Sequence, residues 1–164
     1  MDARKRSASI GALLVAALAT AITPASAGTT TTRWVDGDGH AGPNGCDSSA
    51  SAFKSIQNAV NASYHDDTVI VCPGTYRQQV RIRGDRDGLT LKSSTPFGAA
   101  LLTPSSPNEV DGGVFMISVE RVDRVTVRGF KVLTRTDGPC DDVDVAILVS
   151  ASRRAQIRGN RVLA

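Results

Sequence analysis

Only two histidines and three cysteines occur in 164 residues, and none stands where common chemistry would need it. Neither His40 nor His65 has a partner at nucleophile-activating spacing, which removes the Ser-His and Cys-His arrangements of covalent catalysis. Cys46, Cys72 and Cys140 lack the paired spacing of a structural zinc site, so no metal site is expected from them. Charge of one sign is scarce too: 19 basic against 16 acidic groups leave +3. That is too little for a general nucleic-acid binder, and no nucleic-acid partner is expected. Long apolar runs are also missing. The best candidate, Ile10 to Ile22, falls short of the roughly 20 residues a spanning helix needs.

That run sits instead in the setting of an export signal. Arg4, Lys5 and Arg6 precede it, and Ala25-Ser26-Ala27 follows as a small-residue cleavage site. Residues 1–27 are therefore read as a signal peptide, and the mature chain as secreted, extracellular and free of membrane once cleaved. Cleavage removes three basic groups and one acidic group (Asp2), leaving 16 against 15 and a net charge of +1. An odd cysteine count in an exported chain leaves one over. Cys46 and Cys72 flank the first ordered segments and are expected to pair, which an oxidising compartment allows. Closing that loop contributes about 3 kcal/mol on the chain-entropy model. Cys140 has no visible partner, and its mate is expected beyond residue 164.

What the sequence does have is a repeat. Offset by thirty residues, VFMISVERVDRVTVRGFKVL lies on DVAILVSASRRAQIRGNRVL without a gap. Ile117 meets Ile147, Val119 meets Val149, Val127 meets Ile157, Gly129 meets Gly159 and Val132 meets Val162. Each copy holds short period-2 apolar segments separated by one or two polar or glycine residues, which is strand alternation rather than a helical stripe. Each copy reads as one coil of a solenoid, and no coil buries its inward face without a neighbour. Val80 to Lys92 reads as an earlier coil. The inward layers are then Val80-Ile117-Ile147, Ile82-Val119-Val149, Leu89-Val125-Ala155 and Leu91-Val127-Ile157, with about 4.8 Å between coils.

Upstream, residues 28–33 read as a flexible lead, followed by a short strand at Trp34 and Val35 and a turn-rich loop. The Asp36-x-Asp38-x-His40 spacing is that of the start of a calcium loop, but the closing glutamate is absent, and turn formation is the plain reading. Ser51 can cap an amphipathic helix with Phe53, Ile56, Ala59 and Val60 on one face. A strand from Thr68 to Val71 follows and ends at a Cys72-Pro73-Gly74 turn. The helix is expected to cover the apolar end of the first coil, as terminal repeats must.

FKSIQNAVNA, DTVIVCPGTYRQQVRI and the VTVRGFKV and AQIRGNRV coils resemble the opening of right-handed parallel β-helix proteins of the pectin lyase-like superfamily. The resemblance runs from about Val35 to Ala164. It implies an all-β fold: a right-handed parallel β-helix of about three coils with an N-terminal capping helix, over residues 34–164. Ala164 falls inside the third strand of a coil, so the domain is expected to be truncated there, with missing coils or an oligomer partner capping the open end. FKSIQNAV and GTYRQQV also resemble the opening of pectin methylesterases, but the identifying G-Y-Q-D-T and D-F-I type segments do not occur, and that activity is not carried over.

Lys92, Arg128 and Arg158 occupy equivalent outward positions and are expected to form a ladder of cations on one sheet face. Lys131 and Arg161 are expected to make a shorter one beside it. Like charges at strand spacing repel, and an extended anionic partner would relieve them, since arginine forks match carboxylates. The bland alternative is a solvated surface, with some cations paired to Asp123 or Glu120. Coils repeat at about 36 and then 30 residues, so excess chain lies at Pro96 to Gly113 and Thr134 to Asp144, both acidic and both projecting from one edge.

A carboxylate cluster beside arginines suits the uronate lyases of the superfamily, with calcium, or its glycoside hydrolases, with paired aspartates; neither constellation is recognisable. The expectation is a domain that binds or acts on acidic, uronate-containing polysaccharide, without a cofactor except for calcium, which stays open. Whether it is an enzyme stays open as well. The competing reading is a non-catalytic structural or adhesion module.

Overall fold

The structure is a computed structural model and describes residues 29–102, 108–110, 113–134 and 143–163. Residues 1–27, read from the sequence as a signal peptide, lie outside the described residues, as do Cys140 and, in the two acidic segments, Asp111, Asp137, Asp141 and Asp142. In chain order the elements are β1 (Thr32–Val35), α1 (Ile56–Asn61), β2 (Thr68–Val71), β3 (Gly74–Arg77), β4 (Val80–Arg83), β5 (Thr90–Ser93), β6 (Ala99–Leu102), β7 (Glu109–Val110), β8 (Gly113–Glu120), β9 (Thr126–Arg128), β10 (Lys131–Leu133), β11 (Val145–Ser150), β12 (Gln156–Arg158) and β13 (Arg161–Leu163).

The strands stack into three parallel sheets. A first sheet has the order β1-β2-β5-β9-β12, a second β3-β6-β10-β13 and a third β4-β8-β11, with β7 antiparallel on β8. Each coil visits the three sheets in turn, so β2-β3-β4, β5-β6-β8 and β9-β10-β11 make three coils, and β12-β13 begins another. This is a parallel β-helix, and its register is the repeat read from the sequence. Ile117 pairs with Ile147, Val119 with Val149, Val127 with Ile157 and Val132 with Val162. One coil earlier, Val80 pairs with Ile117, Ile82 with Val119 and Leu91 with Val127.

Alternation places every second side chain inside, which is why the core is aliphatic. Val69, Leu91, Val127, Ile82, Val119, Leu101 and Val132 are fully buried. The last described rung has neighbours on one side, and its inward side chains stay open: Ile157 is 38% exposed, Val149 39% and Val162 50%.

Four details differ from the sequence reading. The helix is capped by Ser55, whose side chain accepts from the Asn58 N–H, and not by Ser51; Phe53 precedes the helix and bridges to Val35. Ile56, Ala59 and Val60 form the buried face, packed on β1, β2 and β4 at the end of the first coil. The first strand begins at Thr32 rather than Trp34, because Thr32 pairs with Thr68 and the Thr31 N–H is held by Asp67. Gly74–Arg77 is a strand directly after the Cys72-Pro73 corner, and Ala99–Leu102, inside the expected 96–113 loop, is its partner rung. β6 and β10, which precede the third-sheet strand in their coils, end side by side at Leu102 and Leu133.

Cys46 and Cys72 form a disulfide. It ties the turn-rich loop to the end of β2 beside Tyr76, whose hydroxyl donates to the Cys72 carbonyl at 3.0 Å. Burial pushes that phenol up to about 12, with Asp36 and Asp38 adding to the effect.

Candidate functional site

The outward face of the first sheet carries two columns, because residues i and i+2 of each strand point the same way. One column reads Thr32, Thr68, Thr90, Thr126, Gln156. The other reads Trp34, Ile70, Lys92, Arg128, Arg158, and the predicted ladder is its lower part. Trp34 and Ile70 extend it in a way the sequence did not announce, since β1 and β2 lie outside the repeat.

Among the described residues, Lys92, Arg128 and Arg158 have no ion-pair partner. Asp123 and Glu120, the carboxylates named from the sequence as possible partners, are engaged elsewhere. Glu120 lies 2.8 Å from the Arg81 guanidinium and also accepts from Ser118. Asp123 accepts the Arg153 N–H at 2.7 Å. The hydrogen bond from Arg81 holds the Glu120 carboxyl below the ordinary range against the opposing effect of burial. Among the described residues, three like charges on adjacent rungs, about 4.8 Å apart, therefore stand uncompensated.

This column floors a groove of about 690 Å³. That is within the usual size of a small-ligand site, roughly 300–1,000 Å³. Its side is formed at the corner between the first and second sheets. At Lys92 the corner is the longer Ser94 to Gly98 turn, with Phe97 at the rim; one and two coils on it shrinks to Gly129-Phe130 and Gly159-Asn160. Both glycines have positive φ, 81° and 60°, which glycine adopts without strain. Lys131 and Arg161 do pair, but on the second sheet, around this corner, so the second ladder faces another side.

The other expected chemistry is used structurally. Asp38 accepts the His40 N–H at 2.8 Å, which is a turn. Asp36 lies with Cys46 and Cys72, but the two sulfurs are joined to each other. Asp144 accepts the Val114 N–H at 2.7 Å. A cavity of about 480 Å³ between α1 and the third sheet is rich in amides and arginines. Gln79 there spends its side chain on Asn108 and Phe115, and Arg86 spends its own on the carbonyls of Val60 and Asn61. A third cavity, of about 320 Å³, lies at the turns before β5, β9 and β12. Asp87 there accepts the Asp123 N–H, repeating one coil earlier the bond from Arg153.

Fold and register together define a parallel β-helix of the right-handed, pectin lyase-like fold. No protein-family model matches the chain, and no curated protein does. Solved structures match: an aspartate-to-alanine mutant of pectin methylesterase in complex with hexasaccharide IV has a TM-score of 0.55 and 17% identity over 83% of this chain and 46% of its own. Pectin methylesterase in complex with hexasaccharide VII gives 0.54 and 18% over 80% and 43%. The chain spans less than half the length of either.

Proposed function

We propose that the chain is an exported polysaccharide-binding β-helix whose first-sheet groove holds an extended, acidic, uronate-containing glycan. The observation that carries this reading is the column Lys92, Arg128 and Arg158, aligned by strand register and without ion-pair partners among the described residues. Guanidinium forks suit carboxylates, and an extended chain lying along the column would meet one cation per rung. The two solved β-helices of like fold were each captured with a hexasaccharide, which is consistent with a glycan on this architecture. Binding rather than bond cleavage is the reading, because none of the described residues lining the groove is a carboxylate, histidine or cysteine. Export is supported by the basic, apolar and small-residue series of residues 1–27 and by the Cys46–Cys72 disulfide.

The test is titration of the protein with polygalacturonate. Binding is expected to weaken as salt rises through about 0.1 M. Arg128→Ala and Arg158→Ala are each expected to reduce affinity roughly three- to tenfold, as loss of a charged contact implies. Unchanged affinity in the double variant would overturn the reading.

A further inference from the structure

The corner beside Lys92 differs from the two below it. The corners Gly129-Phe130 and Gly159-Asn160 take two residues each, and the Phe130 ring is buried, but the corresponding corner of the preceding coil spends five, Ser94 to Gly98, and lifts a phenyl ring to the groove. Phe97 is 44% exposed and has φ of 59°. A bulky residue in the left-handed region is an outlier, and a glycine or asparagine there would avoid most of the strain. Strain of this kind persists where the surroundings over-determine it; it recurs at the turns of Asp66, Arg121, Arg124, Ala151 and Arg154, so it is the exposed ring and not the dihedral that sets Phe97 apart.

The surroundings do over-determine it. The Phe97 N–H donates to the Gly129 carbonyl at 2.7 Å, and the Gly98 N–H to the Thr95 carbonyl at 3.1 Å. The Ser93 hydroxyl donates to the Thr95 carbonyl at 2.7 Å and accepts the Ala99 N–H at 3.1 Å. Gly98 is itself fixed: a Cβ there would come 2.2 Å from the Thr95 hydroxyl oxygen. The ring is thus mounted on a rigid turn, beside the point where the column changes from Trp34 and Ile70 to Lys92. A rigid aromatic loses little freedom when a ligand packs on it.

Building on the groove's proposed glycan role, we infer that Phe97 is its specificity-determining platform: it packs against the apolar face of a pyranose ring whose carboxylate lies on Lys92 and Arg128. The groove then selects polyanions made of rigid rings over flexible polyanions of similar charge. The cations supply attraction that any polyanion can use, and Phe97 supplies a contact that only a ring with an apolar face can fill.

The experiment is calorimetric titration of wild type, Phe97→Asn, Phe97→Tyr and Arg128→Ala with oligogalacturonate and with polyglutamate. Asparagine tolerates the left-handed conformation, so Phe97→Asn is expected to keep its denaturation midpoint. It should bind oligogalacturonate roughly three- to tenfold more weakly, bind polyglutamate as wild type does, and keep its deficit at raised salt. Phe97→Tyr should restore oligogalacturonate binding, and Arg128→Ala should weaken both ligands. If Phe97→Asn binds oligogalacturonate as wild type does while Arg128→Ala does not, the inference falls and the glycan reading stands. Equal weakening of both ligands by Phe97→Asn also overturns it, since the ring would then only shape the groove. If wild type binds neither ligand, the glycan reading fails and takes the inference with it.

Discussion

The side-chain amide of Gln57 pairs with the backbone of Arg81 as a strand would. Its Oε1 accepts the Arg81 N–H at 2.6 Å and its Nε2 donates to the Arg81 carbonyl at 3.1 Å. Arg81 lies on β4, the end strand of the third sheet, where a further rung would otherwise have to satisfy these groups. One residue of the capping helix thus closes an open sheet edge. The neighbouring Gln78 completes the clamp, its Oε1 accepting from the Ser55 hydroxyl and the Gln57 N–H.

Removing the amide leaves two backbone groups unpaired at the sheet end. Gln57→Leu is therefore expected to destabilise the fold by about 2–3 kcal/mol. Urea unfolding checks this; a loss below about 0.5 kcal/mol would mean water serves the edge equally well.

The Cys46–Cys72 bridge closes a loop of 26 residues. The double replacement by alanine is expected to cost about 3 kcal/mol on the chain-entropy model. Unreduced protein should resist alkylation at both positions, and modification of either in the native oxidised chain contradicts the bridge.

Asp67 makes acid stability a local matter. Burial raises its carboxyl, but hydrogen bonds from the N–H groups of Tyr64 and Thr31 and the charge of Arg33 outweigh burial and hold it below the ordinary value. A carboxyl lowered by folding stabilises the protein above its unfolded pKa, about 3.9, and that contribution disappears as pH falls through the folded value. Stability measured by urea is expected to decline below about pH 4 in wild type, and more gently in Asp67→Asn.

Tyr76 sets the alkaline side. Its hydroxyl is pushed up to about 12, so its contribution is intact below about pH 10, where the unfolded phenol titrates, and fades as pH rises through the folded value. Tyr76→Phe is expected to lose about 1 kcal/mol at neutral pH with the Cys72 hydrogen bond and to flatten the alkaline slope.

Two equivalent positions, one coil apart, should respond differently. Val127 is fully buried, and Ile157, its partner on the next rung, is 38% exposed. Val127→Ala is expected to cost about 2 kcal/mol and Ile157→Ala, in the 164-residue chain, about 1 kcal/mol or less. Equal costs would show that the last rung is covered.

Much of the fold is legible because a solenoid repeats its inside. Val127 over Ile157 and Ile117 over Ile147 are visible as a thirty-residue echo, and the cation ladder is visible for the same reason one residue further along. The second sheet's early rungs are hidden, since Gly74–Arg77 follows a proline corner and Ala99–Leu102 is apolar at every position, without alternation. The choice between Ser51 and Ser55 as cap turns on where Phe53 goes, and it goes to β1. Trp34 and Ile70 join the groove only through the pairing of β1, β2 and β5, which sequence spacing does not encode. Phe97 joins through a turn whose shape depends on hydrogen bonds to a later coil.

The interval between Lys92, Arg128 and Arg158 is set by main-chain pairing and not by the side chains themselves. The column is therefore a ruler whose graduations no surface substitution can move. Exchanging one arginine would change how firmly the proposed glycan is held at one mark, but the distance to the next mark stays. A polymer whose charges recur at a different pitch would seat one charge and miss the following one, and the mismatch would grow with every further rung.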